Sequence, residues 1–459
     1  MSETRSRPPS VERLLRAAAP QLDGRDRAAV VGEARHVVDL ERERLAAGKP
    51  ASTIESLADA VAAGLASFES GDASGPTPVI NATGVILHTN LGRAPWPAAA
   101  IRAAADAAQT SLLELDADTG RRGRRFRVAE EHIIALTGAE DAMIANNNAG
   151  AVALAVGLAG RGGVAVSRGE LVEIGGGVRI PEIIRRAGAR LVEVGTTNRT
   201  RVEDFEAVLA DGRAKLVLRV HPSNFVQAGF IEAPDLEGLV EAAHRAGAIV
   251  VDDLGSGALL DTADFGLAHE PMPGERLAAG VDLVTFSGDK LVGGPQAGIV
   301  AGRADLVARI RRDPLARAMR PDKVMLAALA ATLGLYRAGV AARDVPIWRQ
   351  IAASVESLQA RAGAVVRGLP EGRATVVATD ATIGGGSLPG QSLPSSAISI
   401  GGAAPDRLLG RLRAGRPAVI GRIVDDAVLL DLRTVEPAAD EALGRAIAAA
   451  LVTTRSTSR

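Results

Sequence analysis

The sequence contains no cysteine, little lysine and no long uninterrupted hydrophobic run, and each shortage narrows the classes of protein to which it can belong. Without cysteine the chain has neither disulfides nor thiolate metal sites, and the spacing of its six histidines matches no metal-ligand pattern. The formal net charge of -1 gives no overall attraction to nucleic acid or to a membrane surface. From the cysteine and histidine pattern we therefore expect no metal ion. No signal peptide or transmembrane segment is visible, so we expect a cytoplasmic protein.

The shortage of lysine makes the few lysines informative. Among 53 basic residues, the lysines are only Lys49, Lys215, Lys290 and Lys323. Lys290 lies within residues 287–298, after a Ser-Gly-Asp lead and shortly before two adjacent glycines. An amine can form an imine with a carbonyl compound, whereas a guanidinium does not lose the proton that this requires. The context therefore predicts a Schiff-base lysine at position 290, although a surface lysine in a turn shows the same local pattern.

The pattern of apolar residues predicts three domains. Residues 1–70 show helical spacing, and a polar segment rich in Gly and Pro at 71–79 is typical of a linker. Residues 80–335 alternate short β-branched runs with helical patterns, and residues 336–459 indicate a smaller α+β domain. We predict buried parallel strands at residues 163–167, 190–194, 215–220, 248–252 and 283–286, and further strands at 375–377, 397–400 and 427–432. The fold class is thus α/β, with a mostly parallel sheet in the large domain.

Two polar segments follow predicted strands, at the edge where open α/β sheets bind their ligands. Asn146, Asn147 and Asn148 lead into a predicted helix whose N-terminus can bind a phosphate, although an Asn-rich turn with a helix cap fits as well. Asp252 and Asp253 end an apolar strand, where a carboxylate can keep a pyridinium nitrogen protonated or can cap a helix. We prefer Asp252 as the pyridinium partner and keep Asp253 as the alternative. A phosphate site, a strand-end acid and a lysine follow one another in this order along the chain. This order is typical of a pyridoxal 5′-phosphate enzyme of the aspartate-aminotransferase fold.

Two groups of arginines predict further anion binding. One group surrounds a glycine within residues 121–127, and the other places Arg317 and Arg320 on one face of a helix. Each group can bind a phosphate or an RNA backbone, but a solvated charged surface has the same pattern. His88 and His221 lie in polar loops that can face a ligand.

Over nearly its whole length the chain resembles the bacterial L-seryl-tRNA(Sec) selenium transferase, or selenocysteine synthase, family. The segments that carry this resemblance are residues 80–94, 146–148, 167–176, 252–257, 287–298 and 384–389. The resemblance implies a pyridoxal-phosphate enzyme that converts seryl-tRNA(Sec) to selenocysteinyl-tRNA(Sec) through an aminoacrylyl intermediate, with selenophosphate as the selenium donor. It also implies a homo-oligomer, a decamer built from dimers, and a tRNA-binding role for the helical N-terminal domain.

The resemblance also implies roles for individual residues. Lys290 matches the Schiff-base lysine of the family, and Arg93, Arg317 and Arg320 match arginines that bind the anionic group of the selenium donor. The expected contacts of pyridoxal phosphate are Lys290, Asn146, Asn147, Asn148, Asp252, Asp253, Ser287 and Asn224. Two alternatives stay open: a pyridoxal-phosphate lyase that acts on a small amino acid or an amino sugar phosphate, and a non-catalytic tRNA-binding homologue.

Overall fold

The computed structural model describes residues 7–22, 24–70, 75–123, 125–174, 177–402 and 404–452. Part of the predicted linker (71–74), Arg124 of the first arginine group and Gly175–Gly176 lie outside the described residues. The chain divides into two compact units, Met1–Val79 and Ile80–Arg459. The further boundary between residues 335 and 336 stays a prediction.

The first unit consists of helices around a small apolar core. Its helices are α1 (Val11–Ala18), α2 (Arg27–Ala46) and α3 (Ile54–Ser70). Asp26 caps α2, because its carboxylate accepts a hydrogen bond of 3.0 Å from the backbone N–H of Ala29. The fully buried side chains of Leu14, Ala34 and Val61 bring one apolar face of each helix together.

The rest of the chain alternates strands and helices. The strands are β1 (Val79–Asn81), β2 (Asp141–Ala145), β3 (Gly163–Ser167), β4 (Glu173–Ile174), β5 (Val178–Arg179), β6 (Arg190–Val194), β7 (Leu216–Val220), β8 (Ile249–Gly255), β9 (Leu283–Ser287), β10 (Gly298–Gly302), β11 (Thr375–Thr382), β12 (Ser392–Gly401), β13 (Ala418–Ile420), β14 (Arg422–Val424) and β15 (Ala427–Asp431). The helices are α4 (Ala98–Ala108), α5 (Val128–Thr137), α6 (Asn148–Gly157), α7 (Ile180–Arg186), α8 (Val202–Ala210), α9 (Leu236–Arg245), α10 (Pro273–Ala278), α11 (Ala304–Arg312), α12 (Pro314–Ala318), α13 (Lys323–Arg337), α14 (Ala341–Asp344), α15 (Pro346–Ala352), α16 (Val355–Arg367), α17 (Pro405–Ala414) and α18 (Asp440–Val452).

A seven-stranded sheet in the order β2-β10-β9-β8-β7-β3-β6 forms the centre of the second unit. The strands β3, β6, β7, β8 and β9 are mutually parallel, as the sequence predicts, and β10 runs antiparallel to both of its neighbours. Val250 packs into the apolar core on one face of β8 and Val251 into the core on the other. A sheet covered on both faces explains the continuous β-branched runs of these strands.

The C-terminal part of the chain forms a second sheet, which is antiparallel. Its strand order is β11-β12-β15-β14, and it contains the three strands predicted beyond residue 370. The side chains of Leu358, Leu412 and Ile447, one from each of α16, α17 and α18, pack into the core of this region. The predicted α/β fold class, with a mostly parallel sheet and a smaller α+β part, is therefore confirmed. Within the described ranges, no helix has the length and apolar character needed to cross a membrane.

Candidate active site

Lys290 lies just beyond the C-terminal end of β9, and its side chain is directed into a cavity of about 390 Å³. The residue is 9% exposed, and its Nζ is 3.4 Å from the backbone carbonyl oxygen of Gly386, to which it donates. Burial lowers the pKa of Lys290; the neighbouring Arg93 cation lowers it further, whereas the Asp253 carboxyl opposes the shift. We call this space the lysine cavity. The lowered pKa shifts the Lys290 amine toward its neutral, nucleophilic form.

The two adjacent aspartates of β8 point to opposite faces of the sheet, because side chains alternate along a strand. Asp253 lines the lysine cavity, and its Oδ1 accepts hydrogen bonds from Asn148 Nδ2 at 2.7 Å and Thr285 Oγ1 at 3.0 Å. Burial raises the pKa of the Asp253 carboxyl, and these two donors partly offset the shift. Asp252 lies outside the lysine cavity and faces Arg276, with Oδ2 3.4 Å from Nε. The geometry therefore favours Asp253 over Asp252, because only Asp253 shares the cavity with Lys290, and the identity of the pyridinium partner stays a prediction.

The three consecutive asparagines that follow β2, of which Asn148 is the first residue of α6, have three different contacts. Asn147 caps α6, since its Oδ1 accepts a 2.9 Å hydrogen bond from the backbone N–H of Gly150, and Asn148 binds Asp253. Both line the lysine cavity. Asn146 does not: its side-chain amide faces the carbonyl oxygens of Met319 and Arg320, at 2.8 and 3.0 Å. Only Asn147 and Asn148 thus line the cavity, and the phosphate-binding role of the asparagines stays a prediction.

Other predicted contacts also line the lysine cavity. Ser287, Asn224 and Arg93 are among its lining residues. Arg93 Nη1 donates to Asp289 Oδ2 at 2.8 Å, and this bond holds the guanidinium beside the residue that precedes Lys290. His221 lines the cavity as well; its Nδ1 accepts a 2.9 Å hydrogen bond from the backbone N–H of Ser223, so the neutral ring carries its proton on Nε2.

The sequence reasoning gave no role to the three glycines at 384–386, two of which line the lysine cavity. Gly385 and Gly386 have φ angles of 58° and 76°, which side-chain-bearing residues rarely adopt. A Cβ atom at Gly386 would lie 3.2 Å from Lys290 Nζ and 2.9 Å from Ser223 Oγ. Glycine at this position therefore leaves room around the amine. The run of three glycines in the sequence was the signal that could have indicated this wall of the cavity.

Arg317 and Arg320 lie in a different space, which we call the arginine cavity. It has a volume of about 500 Å³ and its other charged lining residues are Arg125, Arg127, Arg311 and Glu130. Arg320 Nη1 is 3.6 Å from Glu114 Oε1. In the described part of the chain, no hydrogen bond or ion pair of the Arg317 side chain is recorded. The structure thus gathers the two predicted arginines with others of the first arginine group, but it does not bring them into the lysine cavity with Arg93.

The lysine cavity fits pyridoxal phosphate by the chemistry of its donors. A buried amine can hold an aldehyde carbon, and a buried carboxyl on the same side can hold a ring nitrogen. Asn148 and Ala149 place the N-terminus of the ten-residue helix α6 at the cavity, where backbone N–H groups attract a phosphate. Gly255, which also lines the cavity, has a φ angle of 62°, a conformation that favours glycine.

The fold and this site define a class: a lysine-dependent enzyme of the aspartate-aminotransferase fold whose cofactor is pyridoxal phosphate. The model of one protein family, described as SelA, L-seryl-tRNA selenium transferase, matches residues 79–436. The chain belongs to this family.

Curated relatives agree with the family model. The chain is 45% identical over 405 residues to the L-seryl-tRNA(Sec) selenium transferase of Hyphomonas neptunium, covering 84% of this chain and 86% of that protein. It is 43% identical over 449 residues to the protein of the same name from Rhizobium meliloti, covering 94% and 95%. The solved structure of D-glucosaminate-6-phosphate ammonia-lyase superposes with a TM-score of 0.59 at 21% identity, over 84% of this chain and 99% of that chain. That last likeness shows the fold alone.

Proposed function

We propose that the protein converts L-seryl-tRNA(Sec) to L-selenocysteinyl-tRNA(Sec), with selenophosphate as the selenium donor and pyridoxal phosphate as the cofactor. Membership of the family supports the proposal, since relatives at 43% to 47% identity are named L-seryl-tRNA(Sec) selenium transferase. The structural observation that carries it is the buried amine of Lys290 in one cavity with the buried carboxyl of Asp253.

Each residue of the lysine cavity has a task in this proposal. Pyridoxal phosphate, when bound, withdraws electrons from the Cα atom of the amino acid joined to it. Lys290 would hold its aldehyde carbon, Asp253 its ring nitrogen, and the N-terminus of α6 with Asn147 and Asn148 its phosphate. Because burial lowers the pKa of Lys290, Nζ is available to accept the Cα proton of the seryl group. We propose Asp253 for the ring nitrogen in place of Asp252.

Selenophosphate requires cationic partners, and we propose Arg93, Arg317 and Arg320 for its anionic group. Guanidinium groups bind phosphate oxygens through paired, charge-assisted hydrogen bonds. Arg93 lies in the lysine cavity, and Arg317 has no recorded partner of its own among the described residues, so its guanidinium is available to an anion. Ser287 and Asn224 complete the proposed cofactor contacts.

The helical unit of residues 1–70 is proposed to bind the tRNA. Arg13, Arg27 and Arg35 are exposed there, and no ion pair of theirs is recorded within the described residues, so they can neutralise phosphates of an RNA backbone. We further propose that the protein acts in the cytoplasm as a homo-oligomer, a decamer of five dimers, as the resemblance to the family implies.

The first test is whether purified protein loaded with pyridoxal phosphate converts serine-charged tRNA(Sec) in the presence of selenophosphate. Ordinary seryl-tRNA(Ser) is the control, and the aminoacyl product is identified by mass spectrometry. We expect selenocysteine on tRNA(Sec) only. Release of pyruvate or ammonia from small amino acids, with no change in the tRNA-bound serine, would contradict the proposal and favour a small-molecule lyase.

The cofactor assignment has a readout that does not depend on turnover. Borohydride reduction of the loaded protein should leave a pyridoxyl group on the peptide that contains Lys290, and the Lys290→Ala variant should carry none. Lys49→Ala is the matched control, because Lys49 is an exposed lysine outside the cavity. A pyridoxyl group on another lysine of the native protein would refute the assignment.

A further inference from the structure

Asn146 connects two parts of the molecule that the proposed reaction uses separately. Its backbone N–H donates to the carbonyl oxygen of Met319 at 2.8 Å. One end of its side-chain amide lies 2.8 Å from that same oxygen and 3.0 Å from the carbonyl oxygen of Arg320. Since both neighbours are acceptors, the amide nitrogen and not the amide oxygen must face them. Asn146 therefore donates three hydrogen bonds to Met319 and Arg320, the last two residues of the segment 317–320, which we call the arginine segment.

That segment depends on such contacts for its position. Arg317 lies in α12, a helix of only five residues, Pro314–Ala318. A helix this short gains little stability from its own hydrogen bonds, so outside contacts fix its place. Beyond Asn146, the adjoining carbonyl oxygen of Pro321 accepts a 2.7 Å hydrogen bond from Arg125 Nη2. The backbone that aims Arg317 and Arg320 is thus held by a small number of side chains.

On the other side, Asn146 is the first residue of the segment 146–148, which we call the cofactor loop. Asn147 and Asn148 line the lysine cavity, and Asn148 binds Asp253. Met319 also packs here, because a Cβ atom added to Gly150 would meet its Sδ at 3.1 Å. One loop therefore contacts the cofactor cavity with two of its asparagines and the arginine segment with the third.

We propose that Asn146 is a positioning residue that holds Arg317 and Arg320 in place for the anionic selenium donor and fixes this anion site to the cofactor loop. The inference rests on the proposed function, because it takes the two arginines as the donor site. Asn146 itself touches neither the cofactor cavity nor the donor. Its loss should weaken binding of the anion and leave attachment of the cofactor to Lys290 unchanged.

Binding of inorganic phosphate to the pyridoxal-loaded protein, followed by calorimetry, tests the inference. We expect Asn146→Ala to weaken phosphate binding about tenfold, the effect of losing well-placed hydrogen bonds. The loss of affinity in the Asn146→Ala, Arg320→Ala double variant should be smaller than the sum of the two single losses, because part of the Asn146 effect acts through the Arg320 guanidinium and the rest through Arg317. In turnover, KM for selenophosphate should rise by a similar factor, while kcat and the pyridoxyl-Lys290 yield stay within about twofold.

The matched control is Asn198→Ala. Asn198 Nδ2 also donates to a main-chain carbonyl oxygen, that of Phe230, at 2.8 Å, but it lies outside both cavities. This variant should bind phosphate as the native protein does. Asn146→Asp is a second variant of nearly the same size whose carboxylate cannot donate to the two carbonyl groups, and it should weaken binding at least as much as alanine.

Hydrogen exchange gives a readout that a general loss of stability would not reproduce. In Asn146→Ala the amides of Met319 and Arg320 should exchange faster, whereas those of β8 and β9 should keep their native rates. Unchanged phosphate affinity in both Asn146 variants, with clear weakening in Arg320→Ala, would overturn the positioning role alone. If Arg317→Ala and Arg320→Ala also bind phosphate normally, the donor site itself is wrong and the inference falls with it. Selenocysteine formation and the Lys290 adduct would still stand as separate tests of the function.

Discussion

The lysine cavity disfavours the charged form of its basic side chain, whereas the arginine cavity stabilises the charged form of its own. Around Lys290, burial works against the charged amine, and nearby carboxyls, of which Asp253 has the largest effect, only partly oppose it. In the arginine cavity, Arg127 and Arg311 each pair with Glu130, so burial is compensated by ion pairs and the guanidinium groups stay charged. The difference fits the two proposed tasks: covalent chemistry needs an amine that loses its proton, whereas anion binding needs a cation that does not.

The largest expected effect tests the carboxyl side of the lysine cavity. Asp253→Asn should lower kcat roughly a hundredfold, because an amide does not keep a ring nitrogen protonated. Asp252→Asn is the natural comparison, since it changes the adjacent residue on the opposite face of β8, and it should cost far less. Steady-state kinetics with both variants decides between the two aspartates. A larger loss in Asp252→Asn would restore the sequence-based preference.

The next effect tests the arginine cavity. Arg317→Ala and Arg320→Ala should each raise KM for selenophosphate about tenfold, the range expected for a hydrogen bond to a charged group. The defect should shrink at high salt, where the charge attraction in the native protein is screened. Arg309→Ala serves as the control, because Arg309 is exposed on the neighbouring helix α11 and lies outside the cavity. Equal KM values for selenophosphate in all three variants would show that the arginine cavity does not bind this substrate.

A third experiment tests the electrostatics of the lysine cavity through pH. Formation of the pyridoxyl-Lys290 adduct requires the neutral amine, so its rate should rise with pH through the pKa of Lys290, which burial places below the ordinary 10.5. Arg93→Ala removes a cation that lowers this pKa and should move the midpoint to higher pH. Asp253→Asn removes an opposing carboxyl and should move it to lower pH. Borohydride trapping across a pH series measures both shifts, and shifts of the same sign would contradict this electrostatic picture.

The smallest effect concerns a buried carboxylate outside both cavities. Glu41, 2% exposed, accepts a 2.8 Å hydrogen bond from the backbone N–H of Ser52 and a 2.9 Å bond from its hydroxyl, and these donors lower the pKa of Glu41. The stability it contributes is present above its ordinary pKa of 4.5 and is lost as the pH falls through the lowered value. Glu41→Gln should cost about 1 kcal/mol at neutral pH. Hydrogen exchange of α2 and α3 amides measures the loss, which should vanish in strong acid.

Much of the fold was open to prediction because it depends on local patterns. The β-branched runs between residues 163 and 286 gave the parallel strands. Four of these strands, β3, β7, β8 and β9, are almost completely buried as such apolar runs predict, whereas β6 lies at the sheet edge and is only partly buried. The antiparallel direction of β10 was not predictable, because strand direction depends on where the chain returns and not on the residues of the strand.

The sequence by itself determined that Lys290 is exceptional, because in a chain that uses arginine for nearly every cation a strand-end lysine indicates a need for an amine. It also supplied the asparagines, the aspartate pair and the arginines from which a site is built. Only the tertiary structure decided which of them meet. Alternation along β8 put Asp253 and not Asp252 beside Lys290, and the contact with Met319 turned Asn146 away from the cavity. Residues adjacent in sequence were separated because direction in space depends on strand alternation and on partners distant in the chain.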